Sequence, residues 1–153
     1  MSIKSGQTMI EVIVALTLII LFLSGVVVVE LYAIRNADYS RNRSTSTQLA
    51  KQQIERARVM RDTGRMDILW QYCSSICYIN NQLTPIPDVT STGKFGQSLS
   101  IYSASADDCL QPDVTITPEP IFYKTTASVT WDTAGIITPH PQVELSSCIT
   151  DWR

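Results

Sequence analysis

At 153 residues the chain has room for at most one soluble domain, and its first third is too apolar to belong to an ordinary globular core, which excludes a multidomain architecture. The formal charge of −2 hides an uneven distribution: −1 over residues 1–34, +5 over residues 35–65 from eight bases and three acids, and −6 over residues 66–153 from three bases and nine acids. One small domain carried on a helical stalk fits both facts.

From Val12 to Val29 eighteen consecutive residues, VIVALTLIILFLSGVVVV, carry no charge. As a helix this run covers roughly 27 Å, enough for a membrane span. A secretory signal peptide has a shorter apolar region, about 7 to 15 residues, followed by a small-residue cleavage site. Here Ser24-Gly25 lies inside the run, and the VVVVELYAIR that closes it offers no such site. Glu11 stands just inside the amino end, after Met9 and Ile10. A lone carboxylate costs on the order of 2.5 to 3.5 kcal/mol at mid-membrane and less near the interface, so Glu11 needs either a partner or solvation at headgroup level.

Residues 6–16, GQTMIEVIVAL, closely resemble the prepilin signature: a Gly closing a short basic leader, a cleavage point, and a Glu at the fifth position of the mature chain. The leader is then MSIKSG, the mature chain starts at Gln7, and Glu11 takes that fifth position. The resemblance, to type IV pilins and type II secretion pseudopilins, covers about the first 60 residues. It implies cleavage after Gly6 by a prepilin peptidase in the membrane, methylation of the new Gln7 amino group, and passage of the helix from bilayer to filament. It also implies that Glu11 neutralises the cationic amino terminus of an adjacent subunit, an attraction that is strong where hydration is poor. The implied partners are other pilin subunits through the N-terminal helix, the prepilin peptidase, an inner-membrane pilus assembly platform, and membrane lipid before assembly. Gln7 departs from the Phe or other apolar residue more usual there, and no Pro interrupts the span, so a kink has only Ser24-Gly25 to start from.

Flanking charge points the other way: Lys4 precedes the span whereas Arg35, Arg41 and Arg43 follow it, which by the positive-inside rule places the carboxyl side in the cytoplasm. The four cysteines Cys73, Cys77, Cys109 and Cys148 all follow the apolar run and suit an oxidising compartment. Together with the leader they outweigh the flanking charge, since long domains translocate largely regardless of it. The expected location is therefore the inner membrane with an exported head, then a surface pilus or periplasmic pseudopilus.

Beyond the span no Pro or Gly occurs until Gly64, so one helix is expected from about Thr8 to Asp62. Ala50, Ile54 and Ala57, flanked by Leu49 and Met60, give its second half an apolar stripe that should carry the head. Residues 35–46, with SRNRSTST, have poor helix propensity and are the place for a frayed hinge. The basic run Arg56 to Arg65 reads as a solvated helix face or subunit contact; as a nucleic-acid patch it lacks interleaved aromatic residues. The segment LAKQQIERARVMRD resembles the helix end of PilV-like minor pilins, which favours a minor pilin over a major subunit.

After Thr63 the pattern changes to strand-like alternation with frequent Gly, Pro, Ser and Thr. Trp70 to Ile79 is expected to bridge helix and sheet, and Thr84 to Gly96 to form a loop. The expected strands are Gln97 to Ser103, Ile121 to Trp131 and Gln142 to Asp151, with a shorter one near Val114 to Thr117 and a turn at Asp132 to Gly135. Val143, Leu145 and Ile149 share one face of the last strand; Ile121, Tyr123, Val129 and Trp131 share one face of its neighbour. Four cysteines allow three pairings, among which spacing does not choose. Likeness to pilin heads, where a bridge ties down the carboxyl terminus, favours Cys109 with Cys148 and Cys73 with Cys77.

The fold class expected is α+β and pilin-like: a long N-terminal α-helix packed against a small antiparallel β-sheet head. Its divisions are a leader at 1–6, an apolar helix at 7–31, an amphipathic continuation at 32–63 and a β-rich head at 64–153. No catalytic site, cofactor or metal is expected. His140, the single histidine, sits between Pro139 and Pro141 as in an exposed rigid loop; Asp107-Asp108 lacks a calcium-loop spacing, and no phosphate loop or nucleophile elbow appears. Cys73 and Cys77 lack a second close pair for zinc.

Overall fold

A computed structural model of the chain describes residues 5–109, 121–132 and 140–151. The long helix α1 spans Ser5–Asp62 without interruption, including the stretch 35–46 where a hinge was expected. Poor propensity is a matter of tenths of a kcal/mol per residue. It does not break a helix when neither Pro nor Gly removes a backbone bond.

The chain divides into two compact units, one up to Arg41 and one from Asn42 onward. In the second unit α1 ends on a left-handed Gly64 (φ 74°). The Arg65 amide donates to the Met60 carbonyl and the Gly64 amide to the Arg61 carbonyl, at 3.0 and 2.9 Å, closing the last turn. A short helix, α2 (Met66–Cys73), follows and leads into a six-stranded antiparallel sheet. Its strands are β1 (Cys77–Ile79), β2 (Pro85–Pro87), β3 (Thr90–Thr92), β4 (Phe95–Ala104), β5 (Ile121–Trp131) and β6 (Gln142–Asp151). A single turn of helix, α3 (Ala106–Cys109), separates β4 from β5. The spatial order is β2-β1-β4-β5-β6, with β3 also on β4.

The expected strands β5 and β6 appear at the boundaries read from the alternation, and β4 is longer by two residues at its start and one at its end. The expected loop at Thr84 to Gly96 is instead two short strands and the start of β4. Pro85 and Pro87 are tolerated because β2 is an edge strand pairing with β1 alone. Gly93-Lys94 is a two-residue hairpin turn closed by the Thr92–Phe95 pair, with Gly93 at φ 65°. That is the primed turn in which glycine takes the first central position. The shorter strand near Val114 to Thr117, most of the turn at Asp132 to Gly135, and Trp152 lie outside the described residues.

The core lies between the second half of α1, α2 and one face of the sheet. Ala50, Ile54, Ala57 and Met60 supply the α1 stripe as expected, with Leu49 packed beside it. Leu69 and Cys73 come from α2, and Ile79, Leu99, Ile101, Ala127, Val129 and Ile149 from the sheet. Val129 and Trp131 are buried and Tyr123 packs against the core, but Ile121 at the end of β5 is 59% exposed. Alternation places Ile121 on the core face; the strand simply outruns the layer that covers it. The result is the expected α+β arrangement, a long N-terminal helix packed through its later turns on a small antiparallel sheet.

Candidate functional site

The first unit is defined by what its helix leaves uncovered. From Met9 to Ile34 the large apolar side chains are exposed on every face of α1, from 38% at Val26 to 75% at Tyr32. A helix apolar all round demands an apolar surrounding, either protein or lipid. The two aliphatic hydroxyls of this stretch are satisfied locally: Thr17 donates to the Val14 carbonyl and Ser24 to the Leu21 carbonyl, both at 2.8 Å. Neither therefore needs water. The helix continues unbroken through Ser24-Gly25, and a Cβ built on Gly25 meets no atom within 4 Å.

Gly6, Gln7 and Glu11 fall in the first two turns of α1. Gln7 and Glu11 are four residues apart, on one face and separated by about 6 Å of helical rise. Glu11 is exposed, and among the described residues no hydrogen bond or ion pair reaches it. The side chains before Met9 lie outside the described residues. Among those residues α1 is the one helix long and apolar enough to cross a membrane.

In the second unit the cysteines join as Cys73 with Cys77 and Cys109 with Cys148, Cα to Cα 4.9 and 5.7 Å. The first bridge is buried and ties the end of α2 to the start of β1. The second ties α3, which packs on β5, to the edge strand β6. Phe122 is also buried, although alternation puts it on the face away from α1 where Cys148 lies.

A polar clamp escaped the sequence reading. Gln53 is fully buried; its Oε1 accepts from the Ile79 amide at 3.1 Å, and its Nε2 faces the Ile79 carbonyl and Gln97 Oε1, each at 3.3 Å. It bridges the gap where β1, paired with β4 at Cys77–Leu99 alone, no longer pairs with it at Ile79. The signal was available: Ser46, Ala50, Gln53, Ala57 and Met60 repeat at helical spacing, so two polar residues share the buried stripe. Gln53→Ala strips partners from buried groups at Ile79 and Gln97 and should cost about 1 to 3 kcal/mol in denaturant unfolding. Gln53→Met, which retains most of the volume, should cost a comparable amount, separating lost hydrogen bonds from lost packing.

The basic run is largely spent within the domain. Arg56 Nη1 donates to the Ile79 carbonyl at 2.6 Å and its other nitrogen to Asn81. Arg58 bonds Glu55 and Ser147, both at 2.7 Å, Arg61 pairs with Asp62 at 2.8 Å, and Arg65 reaches the Leu83 carbonyl at 3.3 Å. His140 Nδ1 lies 3.1 Å from Asp132 Oδ1, with both side chains mostly exposed. Hydrogen bonds from the Ser105 hydroxyl and amide hold the Asp108 carboxyl below its ordinary value. Among the described residues no group of three or more His, Cys, Asp or Glu is placed to hold a metal ion.

Comparison with protein-family models, curated proteins and solved structures finds no match to this chain. Fold and stem together describe an α+β protein with one long apolar N-terminal helix, compatible with a single-pass membrane anchor.

Proposed function

We propose that the protein is a minor type IV pilin: it is cleaved after Gly6 and methylated at Gln7 by a prepilin peptidase, then enters or primes a pilus filament that serves adhesion, motility or DNA uptake. One observation carries this reading. An uncharged eighteen-residue helix, apolar and exposed on every face, begins immediately after a single carboxylate that is itself one helical turn from Gln7. Such a helix needs an apolar environment at every stage, and a stack of similar helices from other pilin subunits provides one as well as lipid does. The acid at its end then has a use, since cleavage creates an amine that an adjacent subunit can offer it.

In this reading the precursor sits in the bacterial inner membrane with its disulfide-bonded head exported, hands over to the pilus assembly platform, and ends in a filament with other pilin subunits. A type II secretion pseudopilin uses the same stem, and the two separate on phenotype: loss of pili or DNA uptake against loss of secretion. The competing reading of another class is a permanent single-pass anchor for a binding domain, supported by the length of the span alone.

Mass spectrometry of the native amino terminus decides between the classes. A chain beginning at methylated Gln7 is expected; an intact Met1 on filament-free protein would falsify the proposal. Replacing Gly6 with a bulky residue, as in Gly6→Leu, should leave only the full-length form on an immunoblot.

A further inference from the structure

We infer that Tyr32, Arg35 and Tyr39 form an interfacial belt that binds the phosphate groups of membrane lipids and sets the depth of the stem before assembly. The inference rests on the reading above that the stem crosses a bilayer, and it adds a ligand and a register to it.

At 100° per residue these three side chains fall within an arc of about 60° on α1, while Glu30 lies on the opposite side of the helix. Tyr32 is 75% exposed and Tyr39 44%, and Arg35 is exposed as well. Arg35 lies six residues beyond Val29, roughly 9 Å along the axis from the end of the uncharged run. Helical side chains lean toward the amino terminus, which brings the guanidinium back toward the plane where lipid phosphates stand. A planar cationic fork matches a phosphodiester in charge and shape. Tyr32, about 4.5 Å nearer the span, suits the acyl boundary with its hydroxyl toward water, and Tyr39, about 6 Å further out than Arg35, suits the headgroup side of the same layer.

The length of the stem makes the contact consequential. Glu11 and Arg35 are 24 residues apart, about 36 Å of helix. A bilayer measures about 30 Å across its hydrocarbon and about 40 to 45 Å with headgroups. Both charged groups therefore reach opposite headgroup layers at once, and a phosphate held at Arg35 places Glu11, with the Gly6–Gln7 bond one turn beyond it, at the other membrane face. The same contact gives Arg35 a use on the side where the flanking-charge rule disfavours it.

The test uses the full-length chain, disulfides intact, with 13C-labelled arginine in mixed phosphatidylcholine and phosphatidylglycerol vesicles. Solid-state NMR should show dephasing of an arginine Cζ signal by lipid 31P that disappears in Arg35→Gln. In a parallel sample, labelling by an impermeant maleimide at a cysteine introduced in place of Val12, across the membrane, should change by roughly fivefold or more when Tyr32→Ala, Arg35→Gln and Tyr39→Ala are combined. If the chain stays inserted after alkaline wash but either change is missing, the belt is wrong and the membrane reading stands. A chain that washes off overturns both.

Discussion

On the proposed function, replacing Glu11 with leucine should leave a folded, membrane-inserted protein that is depleted from sheared filaments by at least about tenfold, a loss of roughly 1.4 kcal/mol or more in subunit exchange. The substitution touches none of the core residues, which begin at Ser46, so head stability should be unchanged. In lipid it removes a charge from the end of an apolar run, and retention in the bilayer should if anything improve. In the proposed filament it would delete one half of the proposed ion pair: opposite charges about 4 Å apart attract by about 4 kcal/mol at an effective dielectric constant of 20. A partner amine left alone among apolar helices costs more than the pair contributes. Glu11→Gln, similar in shape but uncharged, should behave like Glu11→Leu, and Glu11→Asp should fall between. Quantitative immunoblots of shear and membrane fractions measure this. Equal incorporation of Glu11→Leu and the unaltered protein would mean that charge pairing does not recruit the subunit.

Opening the Cys109–Cys148 bridge by paired Ser substitutions should destabilise the head by about 4 kcal/mol, because the bridge closes 39 residues of chain and loop entropy rises with the logarithm of that length. The Cys73–Cys77 bridge closes only four, and on the same argument its removal by paired Ala substitutions releases about 2 kcal/mol of chain entropy. Those two sulfurs are buried in the core, so a packing loss adds to the smaller figure. The longer bridge has a second consequence, since α3 rests on β5 and Phe122 is buried on that side of the sheet. Freed from β6, α3 should leave its place and expose that ring. Denaturant midpoints with and without reductant, compared with the two double variants, give both magnitudes; a Cys109/Cys148 variant as stable as the oxidised protein would show that the closed loop constrains nothing in the unfolded chain.

The basic run illustrates how sequence-level chemistry is redistributed by folding. Read linearly, four arginines and a lysine from Lys51 to Arg65 are a concentration of positive charge. Folded, Arg56 and Arg65 hold the carbonyls of Ile79 and Leu83 at either side of the turn after β1, where Leu83 takes φ 57° and the Asn80 side chain accepts from the Gln82 and Thr84 amides, both at 2.9 Å. Arg58 crosses to Ser147 on the edge strand. These guanidinium groups fasten the long helix to both sides of the sheet, which is a use that spacing along one helix cannot disclose.

What the sequence determined unaided is what depends on neighbours within a few residues. The uncharged run and its flanking acid, the continuous helix to Asp62, the apolar stripe at Ala50, Ile54, Ala57 and Met60, and the strands β5 and β6 all follow from periodicity and from the absence or presence of Gly and Pro. Tertiary structure alone decided the rest. The cysteine pairing is a choice among topologies, and it needs β6 beside α3. The edge strands β2 and β3 exist because β1 and β4 offer open backbone groups to segments whose prolines and glycines read locally as loop. Gln53 is an exposed polar residue by composition and a buried surrogate strand by position, because a main-chain amide that has lost its neighbour makes a buried glutamine favourable where water would otherwise have to follow.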